Sequence, residues 1–178
     1  MIKVLFVCLG NICRSPMAQI VLENMVKELG LENDFEINSA GTEGYNEACH
    51  AGIHRGTKEI LKQKGIPFVE HYSRKIRKKD YDYYDYILAM DAENIKDIIY
   101  IIGPDKDKKI KRLLDYTKNP RNIKDPWYTG NFNETYDDVV EGCKAFLESL
   151  NIASWIFNQN FNIYSAKIVI FIFTISFC

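Results

Sequence analysis

Nine residues between a strand-like run and a helix-like run constrain this chain more than any other feature. The preceding run, 2–7, reads IKVLFV, and its β-branched and apolar residues predict a buried strand. The following run, 17–29, repeats apolar residues with helical periodicity, which predicts an amphipathic helix. The nine residues 8–16, CLGNICRSP, are therefore expected to form a strand-to-helix loop.

A loop of this kind is suited to binding an anion. Its consecutive backbone N–H groups turn inward, and the helix that follows adds the positive end of its dipole. Gly10 gives the loop a position free of Cβ strain, Ser15 is predicted to cap the helix, and Pro16 suits its first turn. The sequence therefore predicts a phosphate-binding loop directly after the first strand.

Two reactive side chains, Cys8 and Arg14, lie in the same loop. Arg14 can bind two phosphate oxygens with its planar guanidinium, and its charge favours the thiolate form of Cys8. A thiolate inside a phosphate site can attack phosphorus. A small buried cysteine at a strand end is the structural alternative for Cys8. The flanking strand and helix favour the catalytic interpretation.

The string VCLGNICRSPMA, residues 7–18, resembles the active-site signature of the low molecular weight protein tyrosine phosphatases. The resemblance extends over residues 1–150 and includes a second signature, DPWY at 125–128, which is similar to the acid loop of that family. It implies hydrolysis of phosphotyrosine in proteins, or of small aryl phosphates, through a cysteinyl-phosphate intermediate. It implies no cofactor and no metal ion.

The chemistry of this reaction explains the residue types. A phenolate with a pKa of about 10 leaves far better when it is protonated as its bond breaks, so a general acid is needed. The resemblance implies that Cys8 is the nucleophile, Arg14 the phosphate ligand and Asp125 the acid. Trp127 and Tyr128 would then form a partly apolar cleft for a flat ring. An Asp-Pro turn whose aromatics fold onto the core is the structural alternative.

The resemblance also implies substrate-binding and supporting residues. The substrate-binding residues are Leu9, Gly10, Asn11, Ile12, Cys13, Ser15, Tyr45, Trp127 and Tyr128. The supporting network that holds the loop in shape contains Ser39, His71 and Asp91, together with Asn11 and Ser15. Three of these have plain alternatives: an exposed loop tyrosine for Tyr45, a structural histidine for His71, and a helix N-cap for Asp91.

Three other activities compete with phosphotyrosine hydrolysis. A protein arginine phosphatase would share Cys8, Arg14 and Asp125, but such relatives usually have Thr where this chain has the bulkier Ile12, which favours an aryl substrate. An arsenate reductase on the same fold needs two further cysteines, and residues 75–95 contain none. A non-catalytic phosphate-binding module would not need a nucleophile, an arginine and an acid together.

The five cysteines, Cys8, Cys13, Cys49, Cys143 and Cys178, are an odd number. The sequence shows no signal peptide, and a reactive thiol must stay reduced, so we expect a cytoplasmic enzyme. In the family that the chain resembles, the pair matching Cys8 and Cys13 forms a reversible disulfide that protects the nucleophile.

Charge and histidine placement indicate neither a nucleic-acid partner nor a metal site. The net charge is −1, and residues 1–150 carry 22 basic and 24 acidic side chains, because the last 28 residues contain only Lys167. The basic run at 74–79 is interpreted as a solvated helix edge. His50 and His54 are interpreted as loop and helix-start residues without a role in the site.

Strand-like and helix-like segments alternate along the chain. The pattern predicts strands at 2–7, 35–40, 86–90 and 110–114, an extended segment at 67–72, and helices at 17–29, 53–64, 92–102 and 134–150. Such alternation predicts an α/β fold in a single domain, with a central four-stranded parallel sheet covered by helices on both faces.

Residues 151–178 change abruptly to Ile, Phe and Asn and lie outside the family resemblance. The apolar run 168–178 is too short for the ~20 residues that a spanning helix needs. We interpret this segment as a poorly ordered extension rather than a membrane anchor.

Overall fold

The structure is a computed structural model, and it describes residues 1–151. The strands are β1 (Ile2–Cys8), β2 (Phe35–Gly41), β3 (Tyr86–Ala89) and β4 (Ile110–Arg112). The helices are α1 (Arg14–Glu28), α2 (Tyr45–Ala48), α3 (Arg55–Gln63), α4 (Lys78–Tyr83), α5 (Ala92–Ile102), α6 (Pro126–Thr129) and α7 (Phe132–Ser149), with a 3₁₀ turn at Leu113–Tyr116. Residues 1–146 form one compact unit.

The four strands form a parallel sheet in the order β2-β1-β3-β4. β1 lies inside the sheet, where Phe6 pairs with Ser39 of β2 on one side and with Leu88 of β3 on the other. The chain leaves β1 toward β2 and later returns to the opposite side as β3, which opens a crevice at the carboxyl ends of β1 and β3. The predicted α/β fold with its four-stranded parallel sheet is confirmed.

The two faces of β1 pack against different helices because side chains alternate along a strand. Leu5 and Val7 belong to a buried cluster that includes Ile98 of α5. Val4 and Phe6, which point to the opposite face, are fully buried. On that face Cys143 of α7 donates its S–H to the carbonyl of Ala18 in α1 across 3.8 Å. Burial on both faces explains why the strand reads as a continuous apolar run.

Several sequence-based expectations need correction. Ser15 is not the N-cap of α1, because the helix starts at Arg14 and Ser15 lies inside its first turn. The predicted strand 110–114 ends at Arg112 and continues as the 3₁₀ turn, and the extended segment 67–72 contributes only an isolated bridge between Tyr72 and Gly52. The short helices α2, α4 and α6 carry too few residues for a helical period to be recognised in the sequence.

The predicted extension, 151–178, lies outside the described residues except for Asn151, which follows the end of α7 in a turn. Within residues 1–151 no helix is long and apolar enough to cross a membrane. The basic run at 74–79 leads into α4. Arg74 pairs with Asp80 of α4, and Arg77 pairs with Glu47 of α2.

Gly142 of α7 packs against Leu113, and a substitution at position 142 tests how tightly the helix packs there. A Cβ at position 142 would lie 2.5 Å from the Cγ atom of Leu113, which is fully buried. Overpacking of a core costs about 1–3 kcal/mol, whereas Ala in place of Gly in a helix gains up to about 1 kcal/mol. Gly142→Ala should therefore lower the free energy of unfolding measured by urea denaturation.

Lys144→Ala on the exposed side of the same helix serves as the control, with an expected change within about 0.5 kcal/mol. A more stable Gly142→Ala protein would contradict the close contact with Leu113.

Candidate active site

The loop between β1 and α1 is held from its outer side by donors from neighbouring segments. The N–H of Glu43 donates to the carbonyl of Leu9 at 3.1 Å, and the hydroxyl of Ser73 donates to the carbonyl of Gly10 at 3.0 Å. The N–H of His54 donates to the carbonyl of Ile12 at 2.8 Å. Because the C=O and N–H groups of a peptide point in opposite directions, these bonds turn N–H groups of the loop toward its centre.

Asn11 lies behind the loop and is completely buried. Its Nδ2 donates to the hydroxyls of Ser15 and Ser39, both at 2.9 Å, while its Oδ1 accepts the N–H of Arg74 at 3.0 Å and contacts Nε2 of His71 at 3.1 Å. Its φ of 53° lies in the left-handed region, which Asn tolerates better than most residues. Ser39 and His71, which were predicted to belong to the supporting network, thus contact the loop through Asn11.

Gly10 is needed for a different reason from the one expected. A Cβ there would lie 2.5 Å from Nδ2 of Asn46, a side chain that also donates to the carbonyl of Gly10 at 3.0 Å. The strained backbone position of the loop is therefore Asn11, and the lack of a side chain at Gly10 allows the close approach of Asn46.

Cys8 ends β1 with its sulfur inside the loop. Its Sγ lies 3.0 Å from the hydroxyl oxygen of Ser15 and accepts the N–H of Asn11 at 3.3 Å. Cys13 is buried nearby, and burial, followed by the charge of Cys8, raises its pKa to about 12. Both cysteines are free thiols, so their disulfide stays a prediction.

Arg14 is buried between two carboxylates. Its Nη1 donates to Asp91 at 2.5 Å and to the carbonyl of Ile123 at 3.1 Å, and its Nη2 donates to Asp125 at 2.6 Å. Its Nε is buried and has no partner among the described residues. Asp91 also accepts the N–H of Asn94 at 2.7 Å, so it caps α5 and orients Arg14 at the same time.

Asp125 begins the short helix α6 and uses both carboxylate oxygens. Oδ1 accepts the N–H of Trp127 at 3.0 Å, which caps α6, and Oδ2 pairs with Arg14. The segment before it is attached to the end of β3, because the N–H of Ile123 donates to the carbonyl of Met90 at 2.9 Å. The sheet and Arg14 together place this carboxylate over the loop.

A cavity of about 220 Å³ opens above Cys8 and Arg14. Its lining contains the predicted residues Cys8, Leu9, Gly10, Ile12, Cys13, Arg14, Tyr45, Asp125, Trp127 and Tyr128. The three aromatic residues form an exposed rim, and Asn11, Ser15, Ser39, His71 and Asp91 lie behind the cavity as supporting residues. Within residues 1–151 no group of side chains is arranged to hold a metal ion.

Three residues of the site were missed in the sequence. Glu43 and Asn46 line the cavity on either side of Tyr45, and Gln19 of α1 accepts the hydroxyl proton of Ser39 at 2.7 Å. The loop after β2 lies beside the loop after β1 because the two strands are parallel neighbours. That adjacency could have identified Glu43 and Asn46.

Residues 3–154 match the sequence profile described as low molecular weight phosphotyrosine protein phosphatase. The chain belongs to this family. The low molecular weight protein-tyrosine-phosphatase YfkJ of Bacillus subtilis is 44% identical over 154 residues, which cover 84% of this chain and 96% of that protein. The crystal structure of YfkJ superposes with a TM-score of 0.78 and 42% identity, over 90% of this chain and 97% of that one.

A more distant solved structure in the comparison is that of DARP, the Drosophila arginine phosphatase. It is 33% identical, covers 84% of this chain and 98% of its own, and has a TM-score of 0.74. This protein shares the fold, although it is named as an arginine phosphatase rather than as a tyrosine phosphatase.

The network behind the loop makes stability depend on pH through His71. Burial, and then the charge of Arg74, lowers the pKa of His71, so the unfolded chain binds the proton more readily than the folded protein. The stability that His71 contributes is therefore present above about pH 6.5 and is lost as the pH falls through its folded pKa. His71→Gln should flatten the dependence of the free energy of unfolding on pH between about 7.5 and 5.5.

Urea unfolding at both pH values measures this difference, with Val69→Ala, an exposed neighbour, as the control for general effects. Parallel pH profiles in the parent and His71→Gln proteins would argue against the contribution of His71.

Proposed function

We propose that this chain hydrolyses phosphotyrosine and related aryl phosphate monoesters through a cysteinyl-phosphate intermediate. One observation carries the proposal: Cys8 and Arg14 line the same small cavity, and the buried Nε of Arg14 has no partner among the described residues. A buried N–H of an arginine that has no partner is costly unless a ligand completes it. A phosphate oxygen is the ligand that suits both the cation and the N–H groups of the loop.

Phosphate binding requires Asp125 to move away from Arg14. The carboxylate of Asp125 accepts the hydrogen bond from Nη2, whereas Asp91 and the Ile123 carbonyl accept from Nη1. A phosphate group can take Nη2 together with the free Nε and so bind in bidentate fashion. Asp125 is then released from Arg14 and can turn toward the departing oxygen.

In the first step the thiolate of Cys8 attacks phosphorus, the S–P bond forms and the bond from phosphorus to the aryl oxygen breaks. Asp125 gives its proton to the departing aryl oxygen, which leaves as a neutral phenol. The N–H groups of the loop and Arg14 stabilise the charge on the equatorial phosphate oxygens. Trp127, Tyr128 and Tyr45 provide the walls beside the departing ring.

In the second step Asp125, now ionised, takes a proton from a water molecule that attacks the cysteinyl phosphate. The S–P bond breaks, inorganic phosphate forms and the electron pair returns to the sulfur of Cys8. The hydroxyl of Ser15, 3.0 Å from this sulfur, donates a hydrogen bond to the returning thiolate. Ser15 can do this because it lies in the first turn of α1 and points back into the loop.

The compartment that we propose is the cytoplasm. The mechanism needs Cys8 as a free thiol, and a reducing compartment keeps thiols in that state. Cys13 is also free, and its high pKa keeps it in the protonated form beside the nucleophile.

Replacing the proposed acid tests the mechanism most directly. Asp125→Asn cannot give a proton to the leaving oxygen, so turnover of aryl phosphates with poor leaving groups should fall by roughly 10²–10⁴. The deficit should shrink as the phenol becomes more acidic, because such a phenolate leaves without a proton. The measurement is kcat across a series of aryl phosphates with increasingly acidic phenols.

Asp91→Asn is the matched control, because it makes the same chemical change in the other carboxylate that pairs with Arg14. It should weaken phosphate inhibition and lower turnover by a factor independent of the leaving group. A deficit of Asp125→Asn that stays constant along the series would exclude Asp125 as the acid.

Substrate choice is tested at Ile12, whose apolar side chain lines the cavity. We expect the parent to hydrolyse phosphotyrosine peptides at least about tenfold faster than phosphoarginine peptides in kcat/KM, because a missing apolar contact in a pocket changes rates by roughly 10–200-fold. Ile12→Thr should narrow this ratio. A parent protein that prefers phosphoarginine peptides would overturn the assignment of substrate. Cys8→Ser is the control: it should hydrolyse neither kind of peptide, which would show that both are hydrolysed at the same site.

A further inference from the structure

His54 touches both halves of the site, although the sequence suggested no role for it. Its backbone N–H donates to the carbonyl of Ile12 in the phosphate-binding loop at 2.8 Å. Its ring meets the ring of Trp127 edge-on, with centroids 5.6 Å apart and an interplanar angle of 70°. It also stacks on Phe132, with centroids 5.2 Å apart and an angle of 3°.

The ring is fixed in place from two sides. Nδ1 accepts the N–H of Gly56 at 3.1 Å, so His54 caps α3 with its side chain. The ring of Phe132 lies directly over Gly56, where a Cβ would come within 2.5 Å of it. The imidazole is thus held between the start of α3 and Phe132, and its remaining contact is with Trp127.

The loop that carries Asp125 has little support of its own. Helix α6 is a single turn of four residues that ends at Gly130 with a φ of 68°, and such a short helix has almost no intrinsic stability. Trp127 is 62% exposed. A contact that restricts Trp127 therefore has a large influence on the position of the whole turn.

A chain of contacts leads from His54 to the acid. The ring of His54 meets Trp127, and the N–H of Trp127 donates to Oδ1 of Asp125 at 3.0 Å. When phosphate takes Nη2 of Arg14, the carboxylate of Asp125 loses its ion pair, while its Oδ1 keeps the bond from the N–H of Trp127. At that moment the position of the carboxylate depends on where Trp127 is held.

We propose that His54 is a positioning residue for the general acid, acting through the ring of Trp127. The proposal rests on the proposed function, because it concerns the step in which Asp125 protonates the leaving group. The side chain of His54 then has two tasks. Its Nδ1 caps α3, and its ring contacts Trp127 and so restricts the loop that carries Asp125.

Two substitutions separate these tasks. His54→Asn keeps an oxygen that can cap α3 but removes the ring, because Asn is among the best N-cap residues. His54→Phe keeps a ring for Trp127 and Phe132 but removes the cap. The matched control is His50→Asn: His50 stacks on Tyr72 with centroids 4.0 Å apart, and its φ of 53° suits Asn.

We expect His54→Asn to melt near the parent but to lose roughly tenfold in kcat on aryl phosphates with poor leaving groups, since small misplacements of a catalytic group are costly. The loss should be smaller with good leaving groups, and inhibition by inorganic phosphate should not change, because the loop and Arg14 are intact. His54→Phe should melt at a lower temperature yet keep most of its kcat. His50→Asn should match the parent in both rate profiles.

A spectroscopic readout follows Trp127 directly. The sequence contains two tryptophans, Trp127 and Trp155, so the variants are made in a Trp155→Phe background. His54→Asn should change the emission of Trp127 and its response to vanadate, whereas His50→Asn should leave both unchanged.

The outcomes distinguish failure of the inference from failure of the proposed function. If the parent hydrolyses aryl phosphates in a Cys8-dependent manner but His54→Asn loses equal activity on all leaving groups, or none, His54 is not a positioning residue. If the parent shows no Cys8-dependent hydrolysis of aryl phosphates, the proposed function itself fails. If His54→Phe does not fold, the rate profile of His54→Asn alone decides whether His54 is a positioning residue.

Discussion

The buried amide of Asn11 is the interaction on which the rest of the site depends. It satisfies two serine hydroxyls, a backbone N–H and the ring of His71, and it does so from a left-handed backbone position inside the loop. A loop whose N–H groups face inward would otherwise open, because the converging N–H dipoles repel one another unless an anion lies between them. The cost of this strained conformation is offset by hydrogen bonds from β2 and from the segment around Arg74.

The sheet explains why these groups meet. β1 and β3 are parallel neighbours, so the loop after Cys8 and the turn at Asp91 emerge at the same edge. Asp91 orients Arg14 from there, and the carbonyl of Met90 holds the segment that leads to Asp125. The fold therefore places the cation between two carboxylates that cap helices of different length: Asp91 caps the 11-residue helix α5, and Asp125 caps the 4-residue helix α6.

The sequence predicted the architecture and, through the family resemblance, the reactive residues and part of the network behind the loop. Apolar periodicity located the four strands and the long helices, because burial leaves a repeating pattern. The 4-residue helices α2 and α6 leave no such pattern, and the helix cap predicted for Ser15 was wrong, since its hydroxyl contacts the sulfur of Cys8. Gln19 could not be predicted from local sequence, because its bond to Ser39 joins α1 to β2.

In the mechanism that we propose, the ion pair between Arg14 and Asp125 connects substrate binding with acid catalysis. While it persists, Oδ2 of Asp125 accepts a hydrogen bond from Nη2 of Arg14 and is not available to a leaving oxygen. A phosphate group would compete for the same guanidinium, because a planar fork binds phosphate oxygens as well as carboxylate oxygens. In the proposed mechanism the substrate itself thus frees the carboxyl group that protonates its leaving oxygen.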